Sequence, residues 1–255
     1  MRLTVVGCSG STSGPRSPAS CYLVEHDGFR LVVDLGSGSL GALQQHLDPG
    51  LLDAVVLSHL HVDHYADLCA LYVWRRYGMP APGPALPVFG PGETAARLAA
   101  ASGPLDDERL AQVFSFGRVD GAPVSVGPFT VTAARAAHPG EAYAYRIEAG
   151  GAVLAYTGDT GPSYAVTKLA AGADLLLAEA SFLTGPAHPV DLHLTGAQAA
   201  ELAVAAGVGH LVVTHIPPWQ DAAAVMAEVS TGWAGPLSQA YPGATYDVTP
   251  LTPAP

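Results

Sequence analysis

Apolar positions along this chain come first in short runs and later at helical spacings. Leu3–Gly7, Cys21–Glu25 and Phe29–Asp34 are β-branched or apolar, separated by Gly, Ser and Pro clusters or by Asp27-Gly28. That punctuation predicts a meander of strands. Gly41–Leu47 reads as a short helix, and Ala54–Leu57, apolar throughout, as a buried strand. From Asp63 to Tyr77 the period becomes helical, with Leu68, Leu71 and Tyr72 on one side. Gly78, followed by Pro80, Pro82 and Pro84, stops that helix.

The second half repeats the style. Leu86–Phe89 predicts a strand and Glu93–Ala101 an Ala-rich helix opened by Pro91-Gly92. Further strands are expected at Val113–Phe116, Phe129–Ala134, Ala142–Glu148, Val153–Tyr156, Leu175–Ala178 and Leu211–Val213, with one more late in the chain. Helices are expected at Thr195–Ala206 and near Asp221–Ser230. Two strand-rich halves, each with helices, predict an α/β four-layer αββα sandwich. With no linker or repeat, residues 1–248 read as one domain and 249–255 as a frayed, disordered tail.

Composition narrows the function. The chain has 255 residues, 49% hydrophobic and 13% charged, which suits a large packed core and excludes a disordered chain. Eleven Lys and Arg stand against 22 Asp and Glu, a formal charge of −11 with the ten His neutral. Such a chain lacks the broad cationic field that nucleic-acid binding uses, so a large RNA is disfavoured. A bound cation would still attract a phosphate locally. Cys8, Cys21 and Cys69 are odd in number and show no C-x-x-C spacing, so no disulfide framework or cysteine zinc site is expected. No stretch approaches the roughly 18 apolar residues of a membrane helix, and no signal peptide is evident. A soluble cytoplasmic protein is the expectation.

Candidate chemistry concentrates in Ser58-His59-Leu60-His61-Val62-Asp63-His64, between a predicted strand and a predicted helix. Three imidazoles and a carboxylate from one turn suit a divalent metal such as zinc, manganese or iron. Four residues cannot fill two coordination shells. Further donors are expected where apolar strands end: His138, Asp159 and His215. Other features have plainer readings. The Gly7–Gly14 loop reads as a tight turn, Arg75-Arg76 as a solvated helix end, and Tyr77 and Trp219 as core aromatics.

The ordered set His59/His61/Asp63/His64, His138, Asp159 and His215 resembles the motifs of the metallo-β-lactamase superfamily over nearly the whole chain. The resemblance implies two divalent ions, zinc first, at the mouth between two sheets. His59, His61 and His138 would hold one ion, Asp63, His64 and His215 the other, and Asp159 would bridge them. Glu179 in Ala-Glu-Ala-Ser and His193 in Asp-Leu-His-Leu-Thr resemble the ribonuclease Z-like branch, where such a Glu orients a His that protonates the leaving oxygen. Ala178 departs from that pattern, which usually has His there. Ribonuclease Z proteins acting on tRNA usually carry a long arm. Bacterial forms place it between the third and fourth metal motifs, yet His138 and Asp159 are only 21 residues apart.

Closer still is the resemblance to bacterial ribonuclease Z-like cyclic-nucleotide phosphodiesterases, carried by Gly7–Ser11, Ser17–Ser20, Val73–Tyr77, Tyr156–Gly161, His188–His193 and Thr214–Trp219. It implies a homodimeric phosphodiesterase acting on 3′,5′-cyclic nucleotides, cAMP first, with Asp63 as base, His193 as acid and Glu179 orienting it. The alternatives are a tRNA 3′-end endonuclease and a hydrolase of lactones, thioesters or other phosphodiesters. A metal-binding scaffold without turnover is disfavoured because every ligand position is filled.

Overall fold

A computed structural model describes residues 1–81, 83–103 and 107–250. The first strands, β1 (Arg2–Gly7), β2 (Cys21–His26) and β3 (Phe29–Val33), are buried on both faces. Leu3, Val5, Tyr22, Val24, Leu31 and Val33 face one apolar core. Val6, Cys21, Leu23 and Val32 face another. Alternation with period two along an apolar strand fills both cores at once, as a sheet sandwiched between layers requires.

The chain continues through α1 (Ser39–Leu43), a 3₁₀ turn at Pro49–Leu51, β4 (Ala54–Val56), α2 (Val62–Tyr65) and α3 (Asp67–Val73). A π-helical turn at Trp74–Gly78 ends this helical run. Next come β5 (Leu86–Phe89), α4 (Thr94–Ala101), α5 (Asp107–Ala111), β6 (Phe114–Gly117) and β7 (Val124–Val126). The strands β8 (Phe129–Arg135), β9 (Tyr143–Ala149) and β10 (Ala152–Tyr156) follow, then α6 (Tyr164–Leu169) and β11 (Leu175–Glu179). The chain closes with α7 (Gly196–Ala206), β12 (His210–Thr214), α8 (Ala222–Gly232), β13 (Leu237–Gln239) and β14 (Thr245–Asp247).

Two seven-stranded sheets result, ordered β14-β1-β2-β3-β4-β5-β6 and β13-β12-β11-β10-β9-β8-β7. Their inner faces share a core that includes Val5, Tyr22, Phe129, Tyr145 and Leu154. Leu43, Leu68, Leu71 and Leu98 cover the first sheet from outside. Val166, Ala199, Ala203, Val225 and Val229 cover the second. The expected αββα sandwich is therefore present.

Several expectations are corrected. The helix read as Asp63–Tyr77 is divided into α2, α3 and the π turn, and Gly41–Leu47 becomes α1 at Ser39–Leu43. The late strand is two, and β14 returns across the molecule to pair with β1. Short elements at α5, α6 and β7 carry no clear periodicity in the sequence. Arg75 is buried instead of solvated, whereas Tyr77 and Trp219 are exposed instead of packed in the core. Pro82 and residues 251–255 lie outside the described residues. Among the described residues no helix is long and apolar enough to cross a membrane.

Candidate metal centre

Every donor residue foreseen in the sequence follows the carboxyl end of a strand. β4 leads to Ser58–His64, β8 to His138, β10 to Asp159 and β12 to His215. Strands in an α/β sheet deliver side chains to that edge. Local backbone holds them there. His215 has a left-handed φ of 57°. Gly158, just before Asp159, has φ 56°, and a Cβ there would lie 2.7 Å from the Tyr143 carbonyl oxygen. A Cβ at Gly36 would overlap the Asp63 carbonyl. Glycine at these two positions permits the close approach of neighbouring backbone.

The seven donors form two groups that share one member. In the first, His61 Nδ1 lies 3.0 Å from His59 Nε2 and 3.0 Å from His138 Nε2, while Asp159 Oδ2 is 3.7 Å from His59 Nε2. In the second, His215 Nε2 lies 3.1 Å from His64 Nε2 and 3.0 Å from Asp63 Oδ2. Asp159 Oδ1 is 3.2 Å from His64 Nε2 and 3.3 Å from His215 Nε2. Each oxygen of Asp159 thus faces a different group. Within each group the donor atoms lie within 4.8 Å of one another.

Outer partners fix which ring nitrogens are free. His138 Nδ1–H donates to the Leu192 carbonyl oxygen at 2.7 Å, leaving Nε2 a bare lone pair. His64 Nδ1–H donates to Asp34 Oδ2 at 2.7 Å, so its Nε2 is likewise free in the neutral ring. His59 Nδ1 lies 3.0 Å from Ser58 Oγ, which itself donates to Asp34 Oδ2. His215 Nδ1 lies 3.0 Å from Ser181 Oγ, and that hydroxyl reaches Glu179 Oε2 at 3.0 Å. Partners of this kind orient metal-binding imidazoles and set their tautomer.

The residues present fit a pair of divalent cations. Imidazole lone pairs and carboxylate oxygens converge at spacings that hydrogen bonding alone does not explain. Asp159 Oδ1 is buried and accepts no hydrogen bond. Burial holds the His59 imidazole well below its ordinary pKa, reinforced by the neighbouring His64, and burial likewise pulls His138 down to about 4. Burial opposes charge on His64 as well, yet Asp159 and Asp34 outweigh it and hold that imidazole well above its ordinary value. Carboxylates this close call for positive charge, which a metal ion supplies without a proton.

Beside both groups stands His193, the residue expected to act as acid. His193 Nδ1 lies 2.9 Å from Glu179 Oε1 and 3.9 Å from Asp159 Oδ2. Its ring centroid is 5.5 Å from those of His138 and His215. Burial disfavours the imidazolium, but the Glu179 charge and hydrogen bond overcome it and push the pKa up to about 9. Glu179 is wholly buried, and its Oε1 also accepts the Thr160 N–H at 2.9 Å.

Asp34, Ser58 and Ser181 were not among the residues foreseen. Asp34 is fully buried at a left-handed φ of 57° and accepts from Ser58 N, Ser58 Oγ, Tyr156 Oη and His64 Nδ1. An aspartate closing an apolar strand was the available signal, but it reads equally as a turn residue.

Stacked sheets that present paired His and Asp donors at one edge define the class: a metal-dependent hydrolase. Residues 30–216 match the family model described as the Beta-lactamase superfamily domain. The chain belongs to the metallo-β-lactamase superfamily. An uncharacterised protein of Mycobacterium tuberculosis is 44% identical over 253 residues, covering 97% of this chain and 92% of that protein. A protein named ribonuclease Z from Mycolicibacterium gilvum is 32% identical over 248 residues, covering 86% of this chain and 85% of that one. The crystal structure of the metallo-β-lactamase fold protein YhfI from Bacillus subtilis superposes with a TM-score of 0.85 at 28% identity. That match covers 96% of this chain and 99% of YhfI.

Proposed function

We propose that the protein is a phosphodiesterase that hydrolyses 3′,5′-cyclic nucleotides, cAMP first among them, to 5′-monophosphates. The observation that carries this reading is the Glu179–His193 pair beside both donor groups. A ribose 3′ oxygen is a poor leaving group, and its departure calls for a positioned proton donor. In this reading His59, His61 and His138 would hold one divalent cation, zinc first, and Asp63, His64 and His215 the other, with Asp159 placed between the two groups. The cations supply Lewis-acid charge at the phosphoryl oxygens and make water acidic enough to act as nucleophile near neutral pH.

The remaining steps belong to the chain. An Asp63 carboxylate oxygen, held against His215 and His64, accepts the proton of the attacking water. His193 is protonated on both nitrogens. Nδ1–H is anchored on Glu179, and Nε2–H is given to the 3′ oxygen as the P–O3′ bond breaks. Glu179 keeps the imidazole charged until that moment.

A small substrate suits the entrance. β9 and β10 are joined through Gly150 and Gly151 alone, which leaves no arm between His138 and Asp159. The second reading, a tRNA 3′-end endonuclease, is favoured by the relative named ribonuclease Z. Metal-loaded protein assayed side by side on 3′,5′-cAMP, 2′,3′-cAMP and precursor tRNA separates the two. The proposal expects 5′-AMP from 3′,5′-cAMP and intact tRNA; cleavage of the tRNA alone would reject it.

A further inference from the structure

The helical run that starts at Asp63 and His64 ends in the π-helical turn Trp74–Gly78, and π turns recur where a helix is bent to serve a site. Arg75 within it is only 8% exposed, yet its Nε and Nη1 have no hydrogen-bond partner. Nη2 alone is engaged, donating to the Pro84 carbonyl oxygen at 2.7 Å. Arg75 and Arg76 border a cavity of 280 Å³ lined also by Gly83, Pro84, Gln112 and Val113, while Arg75 Nε and Nη1 themselves are enclosed by protein atoms. None of the described lining residues is acidic.

A buried cation without a counter-charge costs several kcal/mol, and proteins rarely tolerate one without a partner. This chain has only eleven Lys and Arg, and it sets two of them side by side at this cavity. We propose that the cavity at Arg75 and Arg76 binds a phosphate anion, either free or as the head of a small phosphate monoester. The charge of Arg75 and the exposed guanidinium of Arg76 match the double charge of such an anion. Burial alone lowers the Arg75 pKa, and an anion in the cavity would offset that penalty. The site is distinct from the metal centre. Arg75 stands eleven residues beyond His64, with α3 between them, and none of the described lining residues belongs to the two donor groups.

The test needs no turnover, so it stands or falls apart from the proposed phosphodiesterase activity. Metal-loaded wild type and Arg75→Met are melted in chloride, in inorganic phosphate and in glycerol 3-phosphate, at matched ionic strength. At about 10 mM phosphate, wild type should gain about 3 °C more than the variant does. Phosphate held at the metal centre is common to both proteins and cancels. In chloride, Arg75→Met should melt no lower than wild type, because an unpaired buried charge has been removed. Arg76→Gln, at an exposed position, should weaken the phosphate effect and leave the chloride melting point unchanged. The glycerol phosphate arm tells free phosphate from an ester head. Equal phosphate gains in wild type and Arg75→Met would overturn the proposal. So would an Arg75→Met protein that melts lower in chloride or fails to fold there.

Discussion

His193 sits between opposing influences: burial presses its imidazole towards neutrality, and Glu179 holds it charged, with a pKa of about 9. A general acid works only while protonated, so turnover should fall as pH rises through that pKa. Replacing Glu179 with Gln removes the largest influence that raises the pKa and leaves only the weaker pull of Asp159 and Asp63 against burial. The imidazole then loses its proton at lower pH. The alkaline limb of a kcat–pH profile should move down in Glu179→Gln, and an unmoved limb would remove His193 from the acid role. Asp34 acts one step further from the chemistry. Its two oxygens accept four hydrogen bonds, so an amide at this position must point an N–H₂ at a donor. Asp34→Asn should weaken cation binding about 10–100-fold, as loss of an outer partner typically does, readable by metal titration. The residues of the two donor groups could be read from the sequence because His and Asp crowd into one turn and recur after strands. Asp34 and Ser181 could not, because their roles depend on the register of β3 with β4 and of β11 with β12.

Elements show the same division. Long runs such as β1, β9 and α7 appear in the sequence because their apolar period is sustained. Three-residue β7 and six-residue α6 are too short to show a period and are held by their neighbours: β7 pairs with β8, and Val166 and Leu169 of α6 enter the outer core. β14 was unreadable in another sense, since its partner β1 lies at the opposite end of the chain. The start of α7 matters most for function. Thr195 Oγ1 accepts from Gln198 N, and the Gln198 side chain returns to Thr195 N, a capping box two residues after His193. Thr195→Ala should cost about 1 kcal/mol, or roughly 3 °C in Tm, by calorimetry. An unchanged Tm would show that the cap contributes little.

At the scale of the whole molecule, an acidic protein gathers most of its histidines where strands of its two sheets end. Five of its ten histidines belong to the two donor groups and a sixth is His193. The −11 charge and the short β9–β10 connection are what support the proposal of a small phosphodiester over a large RNA. Cleavage of a cyclic phosphodiester, with His193 protonating a poor leaving group, is what this site is proposed to do. Its most direct test compares wild type with His193→Ala on 3′,5′-cAMP and on bis-p-nitrophenyl phosphate, whose leaving group needs no proton. Wild type should release 5′-AMP. The variant should lose about 10²–10⁴-fold in kcat on cAMP while changing far less on the activated ester. A metal-loaded wild type that leaves cAMP intact, or a variant impaired equally on both substrates, would contradict the account.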